Sequence, residues 1–507
     1  MSESKTIITP VEESTEYENF LDIATIQDDD YTNSLEKFTG YIDTASKDVV
    51  TEAPKDTDES VLRIQFDSLD DLKLFCEKVR QIIPGNKNEI YYPKEDRSRS
   101  LFQDDDDEDQ KPFIITDTSL IETKQKPFDP GKKDMSWLKH WKDMPEYDGM
   151  PVHVYKKLSV IFRNNDDRLE FIEKVCPYIN LKTKSTWFPF KEKRELLKLR
   201  WVEDRPSTNP KYPMYIVSKG RHESMLTSRA LVRMQVPHYI VIEPQDRERY
   251  EQALIKFNLT QYVTLLVAPF SNHGDGPGRA RNWAWDHSIS IGATHHWVLD
   301  DNIHDFYRFH KQIRIRVSTG AFFRAMEEFS DRYENVYISG PQYYFFAVPG
   351  EYRPPYVINS RIYSVLLIRN SCKHRWRGRY NEDTDLCLRV LKDGDCTIEY
   401  NFFLQDKAPT QTVKGGNTEE FYHKEGDGWI REGKYNAHGT INKSKMLVDM
   451  HPDVARMVWK YDRWHHFVDY TQFKKNKLKL KEGLVIPNRV HEYNNLRLID
   501  DYEEGKY

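Results

Sequence analysis

The stretch His296-Trp297-Val298-Leu299-Asp300-Asp301-Asn302 is an apolar strand pattern that ends in two carboxylates. Carboxylates provide the hard oxygen ligands that Mg²⁺ and Mn²⁺ prefer in proteins. The sequence therefore predicts a metal site at Asp300 and Asp301, with one of the two carboxylates reaching the ribose of a nucleotide. A solvated turn after the strand is the alternative interpretation.

Strand and helix patterns alternate in the segment before this stretch. Strand patterns cover 212–217, 238–244 and 264–268, and helix patterns cover 223–234, 246–256 and 278–292. Strands that alternate with helices predict an α/β fold with a doubly wound, mostly parallel sheet. Ligands of such sheets bind at the carboxyl ends of the strands. The polar residues at these ends are therefore predicted to bind a nucleotide: Ser218, Lys219, Arg221, Glu243 and Asp300.

A glycine-rich loop, Gly274-Asp275-Gly276-Pro277-Gly278, leads into the helix pattern that starts at Gly278. Glycines permit close approach of the backbone, and a helix start offers N–H groups to an anion. We expect Arg279 and Asn282 to face a nucleotide-sugar there; the alternative is a capping loop. The loop lacks the GxxxxGK[ST] pattern, which excludes a nucleoside-triphosphate P-loop.

A second acidic cluster, Tyr380-Asn381-Glu382-Asp383-Thr384-Asp385-Leu386, lies about eighty residues further on, at the head of a helix pattern. We expect Asp383 to be a general base, with Glu382 as the next candidate; helix capping by Asp383 is compatible with that role. His423 is a candidate third metal ligand, although a surface histidine is the alternative. A cation for a diphosphate and a base for a hydroxyl are the two parts that sugar transfer requires.

The chain has 507 residues and a net charge of −6, unevenly distributed. Residues 1–150 carry about −17 and residues 151–507 about +11, and a basic half suits a polyanionic partner. No apolar run is long enough for a membrane span, and no secretion signal is recognised. The five scattered cysteines form no CxxC pair, so reduced thiols in a cytoplasmic protein are expected.

An internal repeat precedes the alternating segment, because residues 61–93 and 157–189 align without a gap. Each copy predicts a β-α-β unit too small to be stable alone, so the copies either pair or pack on neighbours. Docking of protein or nucleic acid and a purely structural role both remain open. The predicted order is an acidic arm (1–58), repeat 1 (59–96), an acidic linker (97–150), repeat 2 (151–200), the α/β domain (208–470) and a basic extension (471–507).

The runs YPMYIVSKGR, HYIVIEP, GDGPGRARNWAWDHS, WVLDDN and RGRYNEDTDLCLRVLKDG resemble the TET-associated glycosyltransferases of bacteriophages, over roughly 211–470. The resemblance implies a GT-A-type fold and a metal-dependent, inverting transfer from a UDP-sugar to 5-hydroxymethylcytosine in DNA. It implies Mn²⁺ or Mg²⁺ as cofactor, Asp300 and Asp301 as the metal and ribose carboxylates, and Asp383 as the base. Its expected location is the cytoplasm of an infected host cell.

Several alternatives stay open at this point. The sugar is arabinose or glucose, and the acceptor is 5-hydroxymethylcytosine, already glycosylated DNA or a protein hydroxyl. A non-catalytic DNA-binding protein on this fold is the alternative outside enzymes. Oligomeric state is not predicted. Five arginines are expected to contact the DNA backbone: Arg314, Arg316, Arg375, Arg377 and Arg379.

Overall fold

The computed structural model describes residues 61–94, 112–122, 135–150, 154–191, 199–203, 208–348, 352–408, 429–431, 434–436, 439–460, 463–487 and 496–500. These residues form two compact units. The repeat unit contains the described parts of 61–134 and 154–191, and the large unit contains 135–150 and the described residues from 199 onward. No helix among the described residues is long and apolar enough to cross a membrane.

The repeat unit contains two copies of a strand-helix-strand element. Its elements are β1 Val61–Phe66, α1 Leu69–Lys78, β2 Glu89–Tyr92, a 3-10 turn at Thr118–Leu120, β3 Lys156–Phe162, α2 Asn165–Lys174 and β4 Ser185–Trp187. Each helix begins after a polar cap: Ser68 accepts a hydrogen bond from the backbone N–H of Asp71, and Asn164 accepts one from Asp167. Such caps satisfy N–H groups that the helix leaves without partners.

The two copies share one sheet in the order β2-β3-β1-β4. Strand β1 pairs antiparallel with β3 and parallel with β4, so each strand of one copy is bonded to the other copy. Phe75 of α1 packs against Phe171 of α2 with ring centroids 6.2 Å apart. The sequence allowed the copies either to pair with each other or to pack on neighbours, and in the structure they pair with each other.

The large unit contains all remaining elements. Its strands are β5 Leu199–Val202, β6 Met214–Val217, β7 His238–Ile242, β8 Val263–Val267, β9 His295–Leu299, β10 Ile303–His310, β11 Ile313–Val317, β12 Val336–Tyr343, β13 Tyr356–Ile358, β14 Val365–Arg369, β15 Cys396–Lys407, β16 Trp429–Arg431, β17 Lys434–Asn436, β18 Ala455–Lys460, β19 Arg463–Val468 and β20 Arg497–Asp500. Its helices are α3 Leu226–Arg233, α4 Arg247–Lys256, α5 Gly278–Ser290, α6 Ala321–Ser330, α7 Glu382–Lys392 and α8 Gly439–Met450. Shorter 3-10 turns lie at Ser136–Lys139, Pro244–Asp246, Tyr344–Phe346 and Thr471–Lys475.

A twelve-stranded sheet forms the centre of the large unit, in the order β20-β5-β11-β10-β15-β12-β14-β9-β6-β7-β8, with β13 paired to β15. Strands β9, β6, β7 and β8 run parallel to one another, which confirms the predicted α/β class. Beyond β9 the sheet is mixed, because β14 runs antiparallel to both β9 and β12. The parallel block places the carboxyl ends of its four strands at one edge.

Residues 135–150, which the sequence assigned to an acidic linker, belong to the core of the large unit. Trp137 and Trp141 are buried there. The Trp141 ring stacks on Tyr356 at 5.9 Å, and its indole N–H donates to the carbonyl of Pro145. The two tryptophans, four residues apart, therefore pack into the core of the large unit, and this part of the predicted linker is not a solvated connection.

Candidate active site

One cavity of about 210 Å³ lies at the carboxyl ends of the parallel strands. Its wall combines the loops after β6, β7, β8 and β9 with the glycine-rich loop before α5 and the start of α7. Among the residues that line it are eight cationic side chains: Lys219, Arg221, Arg279, Arg281, Arg361, Arg379, Lys407 and Lys443. Six carboxylates also line it: Glu243, Asp275, Asp300, Asp301, Glu382 and Asp383. The excess of cations favours an anionic ligand.

Asp301 is held by the loop that follows β6. Arg221 NH1 lies 3.1 Å from Asp301 Oδ1, and the Ser218 hydroxyl donates to Oδ2 at 2.7 Å. The Ser218 hydroxyl uses its proton for Asp301, so the Tyr250 hydroxyl is the donor in its 2.6 Å hydrogen bond with Ser218. The Tyr250 oxygen also accepts a hydrogen bond from the Arg221 backbone N–H at 3.0 Å. Burial raises the pKa of Asp301, and Arg221 and Ser218 oppose that shift. The chain of hydrogen bonds fixes the loop before any ligand binds.

Asp300 is held from two directions by cations. Arg281 NH2 donates to Asp300 Oδ1 at 2.8 Å, and Lys407 Nζ lies 3.2 Å from Oδ2. The backbone is fixed as well, because the Asp300 N–H donates to Ser364 O at 2.8 Å and Thr227 donates its hydroxyl to Asp300 O at 2.6 Å. Both carboxylate oxygens of Asp300 therefore face positive charge.

Arg281 joins the two acidic clusters that the sequence places far apart. While NH2 contacts Asp300, NH1 donates to Glu382 Oε1 at 2.9 Å. The guanidinium lies over the Trp376 ring at 4.6 Å, and the side chain is only 7% exposed. Burial raises the pKa of Glu382 to about 7, the charge of Arg281 opposes this rise, and neighbouring Asp383 adds to it. The two motifs consequently form one site.

Asp383 differs from the other five carboxylates of the cavity. It is half-buried at the first turn of α7, and its Oδ1 accepts a hydrogen bond from the Thr384 backbone N–H at 2.6 Å. Among the described residues it forms no ion pair within 4.0 Å, whereas each of the others has a cationic partner. Helix α7 starts after Asn381, whose φ of +49° turns the chain and directs Glu382 and Asp383 into the cavity wall.

Asp385, two residues further along α7, has a structural role outside the cavity. Its side chain is 0% exposed and is bound by Arg377, Arg389 and His451. Lys392 can only donate, so His451 accepts at Nδ1 and donates from Nε2 to Asp385 at 2.8 Å. Burial alone would raise the pKa of Asp385, but His451 and the two arginines hold it at about 2.

The nucleotide-side residues predicted after β7 and at α5 lie in the cavity wall with partners of their own. Lys219 Nζ is 3.3 Å from Glu243 Oε2, which also accepts from the Asn272 N–H at 3.0 Å. Arg279 is half exposed and contacts Asp275 at 2.5 Å. Gly276 has φ +84°, and a Cβ there would lie 2.7 Å from Arg379 O. The glycine is therefore needed where the loop crosses the segment before α7.

Asn282 is the one described site candidate that the structure does not bring to the cavity. Its side-chain amide donates to Trp376 O at 2.9 Å and accepts from the Trp376 N–H at 3.0 Å, so both ends are used to hold that backbone. It positions the ring on which Arg281 lies rather than facing a ligand. His423 lies outside the described residues.

Most of the arginines expected to contact DNA have protein partners. Arg314 lies 4.0 Å over the Tyr344 ring, Arg375 lies 4.6 Å over the Trp285 ring, and Arg316 is 3.5 Å from Asp305. Arg377 is half exposed but is bound to Asp385. Of the five, Arg379 is the one that lines the cavity.

Three residues that sequence reasoning missed have central positions. Arg281 had a signal, because it lies four residues before the buried Trp285 and therefore on the inner face of α5. Tyr250 of α4 and Lys407 at the end of β15 lie in no recognisable motif. Lys407 reaches the site because β10, which follows the acidic pair, is bonded to β15 with Ile303 opposite Lys407.

Asp300 and Asp301 by themselves supply only part of the ligand set that a divalent cation needs. No group of three His, Cys, Asp or Glu side chains that could hold a metal occurs among the described residues. Mg²⁺, however, is commonly held by one or two carboxylates together with substrate phosphates. Lys407 Nζ lies 3.2 Å from Asp300 Oδ2, so a cation at this oxygen competes with the ammonium. The pair therefore fits a cation only where a bound diphosphate supplies the remaining ligands.

Comparison with known proteins relates the segment that carries this site to a protein family. Profiles of protein families match residues 212–416 to the TET-Associated Glycosyltransferase family. A search of curated proteins found no match. A solved structure described as "Crystal structure of GalNAc-T7 with UDP, GalNAc and Mn2+" is similar over 40% of this chain and 44% of that chain, with 9% identity and a TM-score of 0.26. This chain thus spans less than half of that structure's length, and the likeness carries no argument about the site.

The family match covers the cavity almost completely. It begins two residues before β6 and ends beyond Lys407, so every cavity residue except Lys443 falls inside it. The parallel strands, the Asp300-Asp301 pair and the start of α7 all belong to the matched segment. The segment that carries the cavity, residues 212–416, is therefore similar to the TET-associated glycosyltransferase family.

Proposed function

We propose that this protein is a GT-A-type, metal-dependent glycosyltransferase that moves arabinose or glucose from a UDP-sugar to 5-hydroxymethylcytosine in phage DNA, with inversion at the anomeric carbon. The match of residues 212–416 to the TET-Associated Glycosyltransferase family supports the transfer of a sugar, and the resemblance to the bacteriophage members of that family motivates DNA as the proposed acceptor. The cation excess of the cavity supports a diphosphate-bearing donor. Residues 151–507 are basic, which supports a polyanionic acceptor.

The observation that carries the proposal is the pair of contacts made by Arg281. Sugar transfer needs the leaving diphosphate and the accepting hydroxyl within one site, because the bond to the acceptor forms as the bond to UDP breaks. Arg281 connects Asp300, at the end of the nucleotide-side strand, with Glu382, beside the candidate base. Two roles that the sequence assigns to separate motifs are thereby brought within the span of one guanidinium.

Asp383 is the proposed general base. It takes the proton of the hydroxymethyl group as that oxygen attacks the anomeric carbon from the face opposite UDP. A base must be able to accept a proton, and Asp383 is the cavity carboxylate with no cationic partner among the described residues. Glu382 is paired with Arg281, which supports a positioning role for it.

The donor is proposed to bind along the strand ends. Lys219, Arg221 and Arg279 contribute positive charge to the uridine-diphosphate side of the cavity. A divalent cation on Asp300 and Asp301, when bound, supplies further neutralisation of the departing diphosphate. Arg281 and Lys407 keep the charge of Asp300 balanced on the protein side. The target base is proposed to leave the DNA stack so that its hydroxyl reaches Asp383.

Turnover with defined donors and acceptors tests the proposal. The protein is incubated with Mn²⁺, a panel of UDP-sugars and duplex DNA containing 5-hydroxymethylcytosine, and the nucleosides are analysed by mass spectrometry. We expect a pentose or hexose increment that is lost in Asp383→Asn and Asp301→Asn. Asp286→Asn is the matched control, because Asp286 is exposed and pairs with Arg375 outside the cavity.

The controls separate the open alternatives. UDP release with protein or already glycosylated DNA as acceptor, but not with 5-hydroxymethylcytosine, would replace the proposed acceptor and keep the transferase. A dependence of DNA binding on salt concentration distinguishes a nucleic-acid acceptor, because phosphate contacts release counterions. An increment that persists in Asp383→Asn would remove Asp383 as the base.

A further inference from the structure

Lys407 is the last residue of β15, and no recognised motif contains it. Its backbone is fixed opposite Ile303, directly after the acidic pair, and the next residue, Ala408, donates its N–H to Asn302 O at 2.8 Å. Its side chain is only 10% exposed. The fold thus builds a buried lysine into the wall beside Asp300.

The ammonium of Lys407 contacts a carboxylate, a hydroxyl and an aromatic ring at this position. It lies 3.2 Å from Asp300 Oδ2, donates to the Ser364 hydroxyl at 3.0 Å and is 5.8 Å from the centre of the Tyr343 ring. The Ser364 and Tyr343 hydroxyls are 3.0 Å apart and form a polar anchor near the ammonium. Lysine has a flexible four-carbon stem, so its charge can move between partners while the backbone stays fixed.

A cation on Asp300 and Asp301 conflicts with this arrangement. A divalent ion and an ammonium group repel each other strongly when both approach the same carboxylate oxygen, because both are positively charged and the Lys407 side chain is only 10% exposed. An incoming diphosphate, in contrast, attracts the ammonium, since lysine is a common point-charge ligand of phosphates. The two ligands of the proposed reaction therefore act on Lys407 in opposite senses.

We propose that Lys407 is a diphosphate-binding residue that neutralises Asp300 while the site holds no ligand and transfers its contact to the diphosphate when a metal and nucleotide bind. The inference rests on the proposed function, because it takes the metal and the nucleoside diphosphate from it. It adds that Lys407 lowers the affinity of the site for the metal alone and raises the affinity for the nucleotide when the metal is bound.

Binding measurements on the full chain test this inference without any acceptor or turnover. Free Mn²⁺ is titrated by electron paramagnetic resonance without nucleotide, and UDP is titrated by calorimetry at saturating Mn²⁺. We expect Lys407→Met to tighten Mn²⁺ about tenfold and to weaken UDP about tenfold, since one charge contact is removed in each case. Lys407→Arg, which keeps the charge, should stay closer to the native protein in both measurements.

The matched control is Lys211→Met, which removes another lysine–aspartate pair of the large unit. Lys211 lies 2.7 Å from Asp331 and does not line the cavity. It should change neither Mn²⁺ nor UDP affinity. Its unfolding midpoint and that of Lys407→Met, compared by circular dichroism, show whether either substitution damages the fold.

The opposite signs of the two effects distinguish this role from support of the fold. The inference is overturned if Lys407→Met weakens the affinity for both Mn²⁺ and UDP, or changes neither affinity. The proposed function is unaffected by that outcome, provided that the native protein binds both ligands. If neither the native protein nor the variant binds Mn²⁺ and UDP, the donor part of the proposed function fails and the inference fails with it. Mn²⁺ binding only in the variant supports the inference in its strongest form.

Discussion

Replacing Arg281 by Met removes the charge that the buried Glu382 and the partly buried Asp300 share. The two terminal nitrogens of its guanidinium lie 2.9 Å from Glu382 Oε1 and 2.8 Å from Asp300 Oδ1. Removing one partner of a buried ion pair costs about 3–5 kcal/mol. Asp300 keeps Lys407 at 3.2 Å, so most of the loss should fall on Glu382. We expect Arg281→Met to lower the free energy of unfolding of the large unit by about 3 kcal/mol at pH 8.

The loss should depend on pH in a defined direction. Burial raises the pKa of Glu382 to about 7 in the native protein, and removal of Arg281 takes away the charge that opposes this rise. A carboxyl whose pKa is higher in the folded state than in the unfolded state stabilises the fold at low pH and loses that contribution as pH rises through the folded pKa. The variant should therefore be closest to the native protein near pH 6 and fall further behind towards pH 8.5.

Urea unfolding followed by tryptophan fluorescence between pH 6 and 8.5 measures this difference, together with UDP-sugar turnover. The double variant Arg281→Met/Glu382→Gln is the control, because a neutral amide no longer needs the arginine. It should recover most of the stability at pH 8 and none of the activity. Native stability and turnover in Arg281→Met at every pH would refute the view that Arg281 connects the two clusters.

Three further substitutions have defined outcomes. Asp385→Asn should lower the unfolding free energy by about 2 kcal/mol at pH 7, because the pKa of Asp385 is held at about 2; acid titration should show the difference vanish as pH falls from about 4 to 2, and an unchanged difference at pH 2 would contradict this. Gly276→Ala should weaken UDP at least about tenfold by displacing the loop from Arg379 O, whereas Gly292→Ala, also at positive φ but with nothing within 4 Å, should not alter calorimetric UDP binding. Tyr250→Phe should destabilise the large unit by about 1–3 kcal/mol in urea, because Ser218 and the Arg221 N–H lose a buried partner; native stability would show that another group replaces the hydroxyl.

Local patterns were sufficient for the elements of the α/β fold and for the edge that carries the site. Alternation of strand and helix patterns predicts β6, β7, β8 and β9 with their helices, because each element forms from neighbours in sequence. Boundaries were less accurate: α3 starts at Leu226 rather than 223, since Met225 adopts φ +48° and ends the preceding turn. The mixed part of the sheet has no local signal, because the pairing of β14 between β9 and β12 is decided by distant segments.

The candidate site shows the same division between local and distant information. Carboxylates at a strand end and at a helix start are visible in sequence, and the structure brings both groups to one cavity. The cations that balance them are not visible, because Lys407 is placed by the β10–β15 pairing and Arg281 by the burial of one face of α5. Choosing between Arg279 and Arg281 required the direction of that face, since residues two apart on a helix point to different sides.

The pattern of charges in the cavity is consistent with the proposed reaction. Five of its six carboxylates are paired with cations, which holds those cations in place before a ligand arrives. Charges fixed in advance stabilise a developing negative charge without a further cost of reorganisation, and this favours a reaction that releases a diphosphate. Asp383 departs from the pattern among the described residues, and a carboxylate bound to arginine would be a poorer proton acceptor. The same arrangement therefore keeps the proposed leaving-group side cationic and leaves one carboxylate for the proposed role of base.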